Sequence, residues 1–89
     1  MRADTKQGCG DRLKRIEGQV RGIARMIEED RYCIDVLTQI AAVNTALESL
    51  ALQILDDHVR HCVADSIAAG DGDVKIEELM AAVTRFVGR

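Results

Sequence analysis

From Tyr32 to Ala69 the chain contains neither proline nor glycine, and its apolar residues recur at helical spacing. Read as a single helix, this stretch carries a seam of Cys33, Leu37, Ile40, Asn44, Leu47, Ala51, Ile54 and His58. The steps alternate between four and three residues, the period of a coiled-coil stripe. Cys33 and His58 therefore lie on one stripe but at opposite ends of it. At 1.5 Å per residue they are separated by roughly 37 Å, so one straight helix cannot bring them together. Two copies packed antiparallel can, because Cys33 of one then lies beside His58 of the other. Cys62 follows His58 by one turn on the same face. An unbroken helix here thus predicts a ligand cluster completed only in a dimer.

The rest of the chain suits that architecture. At 89 residues it is one small domain, near the size at which a lone core is marginal. With one Phe, one Tyr and no Trp, the core must come from Leu, Ile, Val and Ala, and oligomerisation is the expected supplement. Residues 1–10 show no periodicity and two glycines, which reads as a flexible N-terminal segment before a single domain over 11–89. There is no secretory signal and no apolar run of transmembrane length, so a cytoplasmic protein without a membrane partner is expected. Three cysteines in that setting point to metal or thiol chemistry rather than a disulfide scaffold. Cys9 reads as an ordinary exposed thiol, with an auxiliary ligand or reactive thiol as the alternative.

Between Asp11 and Asp30, Leu13, Ile16, Val20, Ile23 and Ile27 define a first amphipathic helix, for which Thr5 or Asp11 can serve as cap. Its polar side is basic. The net charge of the chain is −3, which alone argues against nucleic acid, but Arg12–Arg25 holds five basic residues and one acid. Arg12, Lys14, Arg15 and Arg21 form a face suited to duplex phosphates, repeated by oligomerisation. No aromatic residue interleaves with them, which disfavours base stacking on single strands. The plain alternative is a solvated helix face. Gly18 and Gly22 each cost roughly 1 kcal/mol relative to Ala in a helix, which suggests that another helix or a phosphate backbone comes close there. Asn44, polar on the apolar seam, either fixes antiparallel register or is a hydrogen-bonded core residue. Gly70-Asp71-Gly72-Asp73 ends the long stretch, and Ile76, Leu79, Met80, Val83 and Val87 give a third, short helix capped by Asp73. The expected fold is all-α, with three helices per chain.

Two thiolates and an imidazole make a soft donor set. It suits Cu(I), which accepts three ligands, or Zn(II) with a fourth ligand added. Tyr32 precedes Cys33 and can act with a nearby carboxylate to hold the imidazole. Taken singly, Cys33 and Cys62 are equally well read as small buried apolar residues; the antiparallel geometry that unites them with His58 favours the metal. No nucleophile–base arrangement, phosphate-cradling loop or paired carboxylates in a cleft appear, so an enzyme is not expected.

The runs RLKRIEGQVRGIARMIEEDRYCIDVLTQI, HVRHC and KIEELMAAV together resemble the CsoR/RcnR family of bacterial metal-sensing repressors, over nearly the whole chain from Asp11. The Cys, His, Cys spacing resembles its copper-sensing branch. That resemblance implies an antiparallel four-helix-bundle dimer assembling into a tetramer. It also implies Cu(I) held by Cys33 of one protomer and by His58 and Cys62 of its partner, with release of operator DNA on copper binding. The genes so controlled encode copper efflux or sequestration. By the same resemblance, Tyr32 and Glu78 hydrogen-bond the metal-bound imidazole, and Arg12 contacts DNA with Lys14, Arg15 and Arg21 beside it. Ser49 departs from the pattern, since some relatives carry a DNA-contacting Arg there. No His precedes His58, unlike the nickel and cobalt sensors. The rival readings are a thiol-based persulfide or redox sensor of the same fold, and a copper buffer that does not bind DNA.

Overall fold

The structure, a computed structural model, describes residues 1–87, the last by its backbone alone. Gly88, Arg89 and the Val87 side chain, which close the third helix and the 11–89 domain of the sequence reading, lie outside the described residues. The elements are α1 (Ala3–Glu28), α2 (Cys33–Asp57), a π-helical segment (His58–Val63), α3 (Ala64–Ala69) and α4 (Gly72–Val87). At the junctions, Asp57, His58, Val63 and Ala64 keep right-handed helical dihedrals, so α2, the π segment and α3 form one rod. At about 1.5 Å per residue, residues 33–69 account for the molecule's 56 Å long dimension. Three rods are present, as the periodicity predicts, and the described residues contain no strand.

Two turns of one design join the rods. Past α1, the Asp30 N–H donates to the Ile27 carbonyl and the Arg31 N–H to that of Met26. Past α3, the Gly70 N–H donates to Ile67 and the Asp71 N–H to Ser66. Each is a Schellman closure, which needs one left-handed residue. Gly70 supplies it at φ 91°, whereas Asp30 adopts φ 54° with a side chain in place. Gly72 answers a different demand: a Cβ there would fall 2.7 Å from Ile67 Cγ1 and 3.2 Å from its Cα. The absence of a side chain lets α4 start hard against α3. α4 consequently begins at Gly72, and Asp73 lies in its first turn rather than at its cap.

The start of the chain differs from the expectation. α1 begins at Ala3, not Asp11, and Cys9 is buried at 6% exposure rather than lying in a frayed, exposed segment. Packing against α2 outweighs weak local propensity here, as it commonly does for amphipathic helices. Gly8 permits the approach, since a Cβ there would meet Gln53 Nε2 at 2.8 Å. Neither Thr5 nor Asp11 caps α1, and Arg2 at the cap position makes no side-chain capping hydrogen bond.

α1 and α2 pack as an antiparallel pair through Cys9 and Ile16 on one side and Val43 and Leu50 on the other, with Ile23 and Ala46 partly buried beside them. The stripe α2 turns to α1 is therefore Val43–Leu50–Asp57, seven residues apart, not the Cys33–His58 seam. On that seam Leu37 is 57%, Leu47 42% and Ile54 39% exposed. Leu13, Val20 and Ile27 of α1 are also exposed. The molecule is 13 Å thick, about one helix diameter. Its radius of gyration is 17.2 Å, against about 12 Å for a compact domain of this length. A single layer of helices has buried one apolar face and left the other open, half of the two-layer arrangement that stable domains adopt.

Candidate metal centre

His58 opens the π segment and Cys62 lies inside it. In a regular α-helix a residue four positions on is rotated about 40° past its predecessor. A turn closed by i→i+5 bonds holds more residues, so four positions make somewhat less than one full turn here rather than somewhat more. Periodicity does not reveal this wider turn. Single π turns inside α-helices are frequent at functional sites. His58 is partly buried and Cys62 exposed.

Cys33 occupies the first position of α2, exposed, directly after Tyr32, which is 68% exposed. The rod that carries all three donors also holds Cys33 roughly 37 Å along its length from His58. Within one chain the described residues gather no group of three His, Cys, Asp or Glu side chains. The fold thus presents two soft donors at one end of an uncovered apolar stripe and the third at the other end.

α4 abuts the π segment and α3, leaving an apolar groove between α4 and the α2 portion of the rod. Ile54, Leu55 and His58 line it from the rod, and Glu78, Leu79 and Val83 from α4. His58 and Glu78 thus line one groove. In the single chain Glu78 Oε2 accepts from Lys75 Nζ at 3.4 Å.

On α1, Lys14, Arg15 and Arg21 are exposed and Arg12 is partly buried. The ion pairs of the described residues, Arg2–Asp4, Arg60–Asp56 and Lys75–Glu78, engage none of them. Among the described residues, no other helix comes within 4 Å of where a Cβ would stand on Gly18 or Gly22. A Cβ at Gly22 would have open space, and one at Gly18 would meet only the Arg21 guanidinium at 3.9 Å. Whatever surface they admit is therefore external. Ser49 is partly buried.

Asp57 is the residue the sequence reading passed over. It is 5% exposed, the buried charged residue among the described residues, and precedes His58. Its Oδ1 accepts the Thr5 hydroxyl at 2.8 Å and the Arg2 backbone N–H at 3.4 Å. The Thr5 bond chiefly holds its carboxyl below the usual carboxylate range, with help from Arg2 and His61 against the cost of burial. The heptad interval Val43, Leu50, Asp57 was the available signal, but it gains meaning only once α1 is known to lie on that stripe.

An all-helical chain with a basic first helix and soft donors on an uncovered stripe has the build of a metal-responsive DNA-binding protein. Residues 5–85 match the family described as metal-sensitive transcriptional repressors, and the chain belongs to that family. It is 58% identical over 84 residues to the copper-sensing transcriptional repressor RicR of Mycobacterium tuberculosis, covering 92% of this chain and 88% of that one. It is 57% identical over 81 residues to the copper-sensing transcriptional repressor CsoR of Bacillus subtilis, covering 91% and 80%. Among solved structures, the Cu(I) form of the copper-sensing repressor CsoR from Geobacillus thermodenitrificans superposes with a TM-score of 0.93. The two are 44% identical, with 98% of this chain and 91% of that one covered. The nickel-responsive regulator InrS is also 44% identical, at a TM-score of 0.79 and 90% coverage of each.

Proposed function

We propose that this chain is a cytoplasmic, copper(I)-responsive transcriptional repressor that acts as a homotetramer, binds operator DNA without metal and leaves it when Cu(I) binds. The observation that carries the reading is the distribution of soft donors on the rod. His58 and Cys62 lie four residues apart toward one end, Cys33 stands exposed at the other, and the stripe between them is largely uncovered. An antiparallel second copy seated on that stripe puts Cys33 beside the partner copy's equivalents of His58 and Cys62. Two thiolates with one imidazole fit Cu(I) better than they fit hard cations. When bound, the ion supplies a cross-link between protomers.

The other parts follow from the chain itself. Arg12, Lys14, Arg15 and Arg21 offer charge to duplex phosphates. Glu78, already in the cleft with His58, and Tyr32, delivered beside Cys33, orient the imidazole by accepting and donating hydrogen bonds. Because α4 carries Glu78 and packs against the π segment, the orientation of His58 bears on the seating of α4. The absence of His before His58 disfavours nickel, despite the likeness to a nickel-responsive fold.

The test is fluorescence anisotropy of the protein on its own promoter DNA, titrated anaerobically with Cu(I), with nickel, zinc and a persulfide donor in parallel at fixed salt. Release by Cu(I) alone supports the reading. Release by persulfide alone moves the function to sulfur sensing, the reading favoured by the exposure of both Cys33 and Cys62. Absence of DNA binding leaves a copper buffer. His58→Ala is expected to retain copper through the thiols and to stay on DNA when copper is added.

A further inference from the structure

Asp57 joins the two functional regions of the chain, and no part of the metal or DNA chemistry above uses it. It belongs to the same backbone as His58 yet faces the other way. His58 lines the cleft with α4, whereas Asp57 is buried against the start of α1. There its carboxylate takes the place of the missing cap, accepting from the Thr5 hydroxyl and the Arg2 N–H. A carboxylate at a helix N-terminus also meets the positive end of the helix dipole. From Thr5, Arg12, Lys14 and Arg15 lie about two to three turns along the same helix.

We propose that Asp57 is the positioning residue that couples the His58–Cys62 segment to the DNA-binding helix, through its bonds to Thr5 and the Arg2 backbone at the start of α1. The inference rests on the functional reading above and deepens it. Asp57 immediately precedes the π segment, the one part of the rod whose hydrogen bonds have an alternative register one residue away. A change of backbone at His58 is carried at once to Asp57, and from its carboxylate to the first turn of α1. The α4 route through Glu78 acts on the opposite side of the rod, so the two contributions are separable.

The experiment compares full-length wild type with Asp57→Asn, Thr5→Val and Thr5→Ser. One readout is the ratio of operator Kd with and without Cu(I), and the other is backbone hydrogen exchange of residues 3–10 in DNA-free protein with and without Cu(I). In wild type, Cu(I) is expected to alter exchange at residues 3–10. Asp57→Asn and Thr5→Val are expected to abolish that response and to lower the Kd ratio at least about fivefold, the lower end of the usual range of allosteric couplings. Thr5→Ser, which keeps the hydroxyl, restores both. A purely structural cap would shift the melting temperature and the metal-free Kd while leaving the ratio intact, and that result overturns the proposal. Thr5→Val decides the matter should Asp57→Asn fail to fold. A wild-type protein whose DNA affinity ignores copper defeats the functional reading; unchanged exchange at residues 3–10 in wild type defeats the coupling, whatever the DNA does.

Discussion

Replacing Leu47 by Ala separates a chain that stands alone from one whose open face is covered by a second copy. In the single chain Leu47 is 42% exposed. Complete burial of a leucine side chain stabilises by about 1.5–3 kcal/mol. The covered share alone therefore predicts a cost of about 1–1.5 kcal/mol for an isolated chain. If a second copy seals the stripe, each chain loses a fully buried leucine at about 2–5 kcal/mol, and a twofold dimer loses two, about 4–10 kcal/mol. The assay is urea unfolding followed by circular dichroism at two protein concentrations a hundredfold apart. Unfolding coupled to dissociation makes stability depend on concentration by about RT ln 100, or 2.7 kcal/mol. A midpoint independent of concentration, together with a Leu47→Ala cost near 1 kcal/mol, would refute the single-layer argument and with it the shared metal site.

Asp30→Gly is expected to stabilise the fold by about 0.5–1 kcal/mol, because the left-handed φ of 54° is free of side-chain strain only for glycine; a raised melting temperature checks it. Gly72→Ala is expected to cost about 1–3 kcal/mol, since the added methyl meets the Ile67 backbone as well as its side chain. Its signature is a lower urea midpoint with α4 detached from α3. Lys14→Gln and Arg21→Gln are each expected to reduce the slope of log Kd against log salt by about 1, with affinity lost uniformly across DNA sequences. An unchanged slope in anisotropy titrations would return these residues to the role of a solvated face.

The three rods and the break at Gly70 were legible because they rest on local chemistry: periodicity, the absence of proline, and glycine where a left-handed residue is needed. What stayed hidden depended on which stripe of α2 meets α1. Residues 33, 37, 40 and 44 and residues 43, 50 and 57 are both helical repeats, and nothing local ranks one above the other. The more hydrophobic repeat was chosen as the seam, and it is the one the single chain leaves open. The burial of Cys9, the close approach at Gly8 and the bond of Thr5 to Asp57 are hidden from the sequence for the same reason. Their roles exist only against Gln53, Leu50 and Asp57, more than forty residues away.

That division of α2 into two stripes is itself the basis of a sensor. A chain that buried the Cys33–His58 stripe internally would be stable alone and could not assemble donors from both ends of a rod. By spending only the Val43–Leu50–Asp57 stripe on α1, the fold keeps the other free, and in the proposed dimer the contacts that complete the core also complete the donor set. Ligand affinity and assembly then share one interface, so each must strengthen the other. Linkage extends this to DNA: whatever factor copper takes from operator affinity, operator must take from copper affinity. Asp57, bonded to the start of α1, and Glu78, across the groove from His58 on α4, are the two ties proposed between the donor segment and the other helices. If both ties are cut, the protein should still bind metal and still bind DNA, with each affinity indifferent to the other ligand.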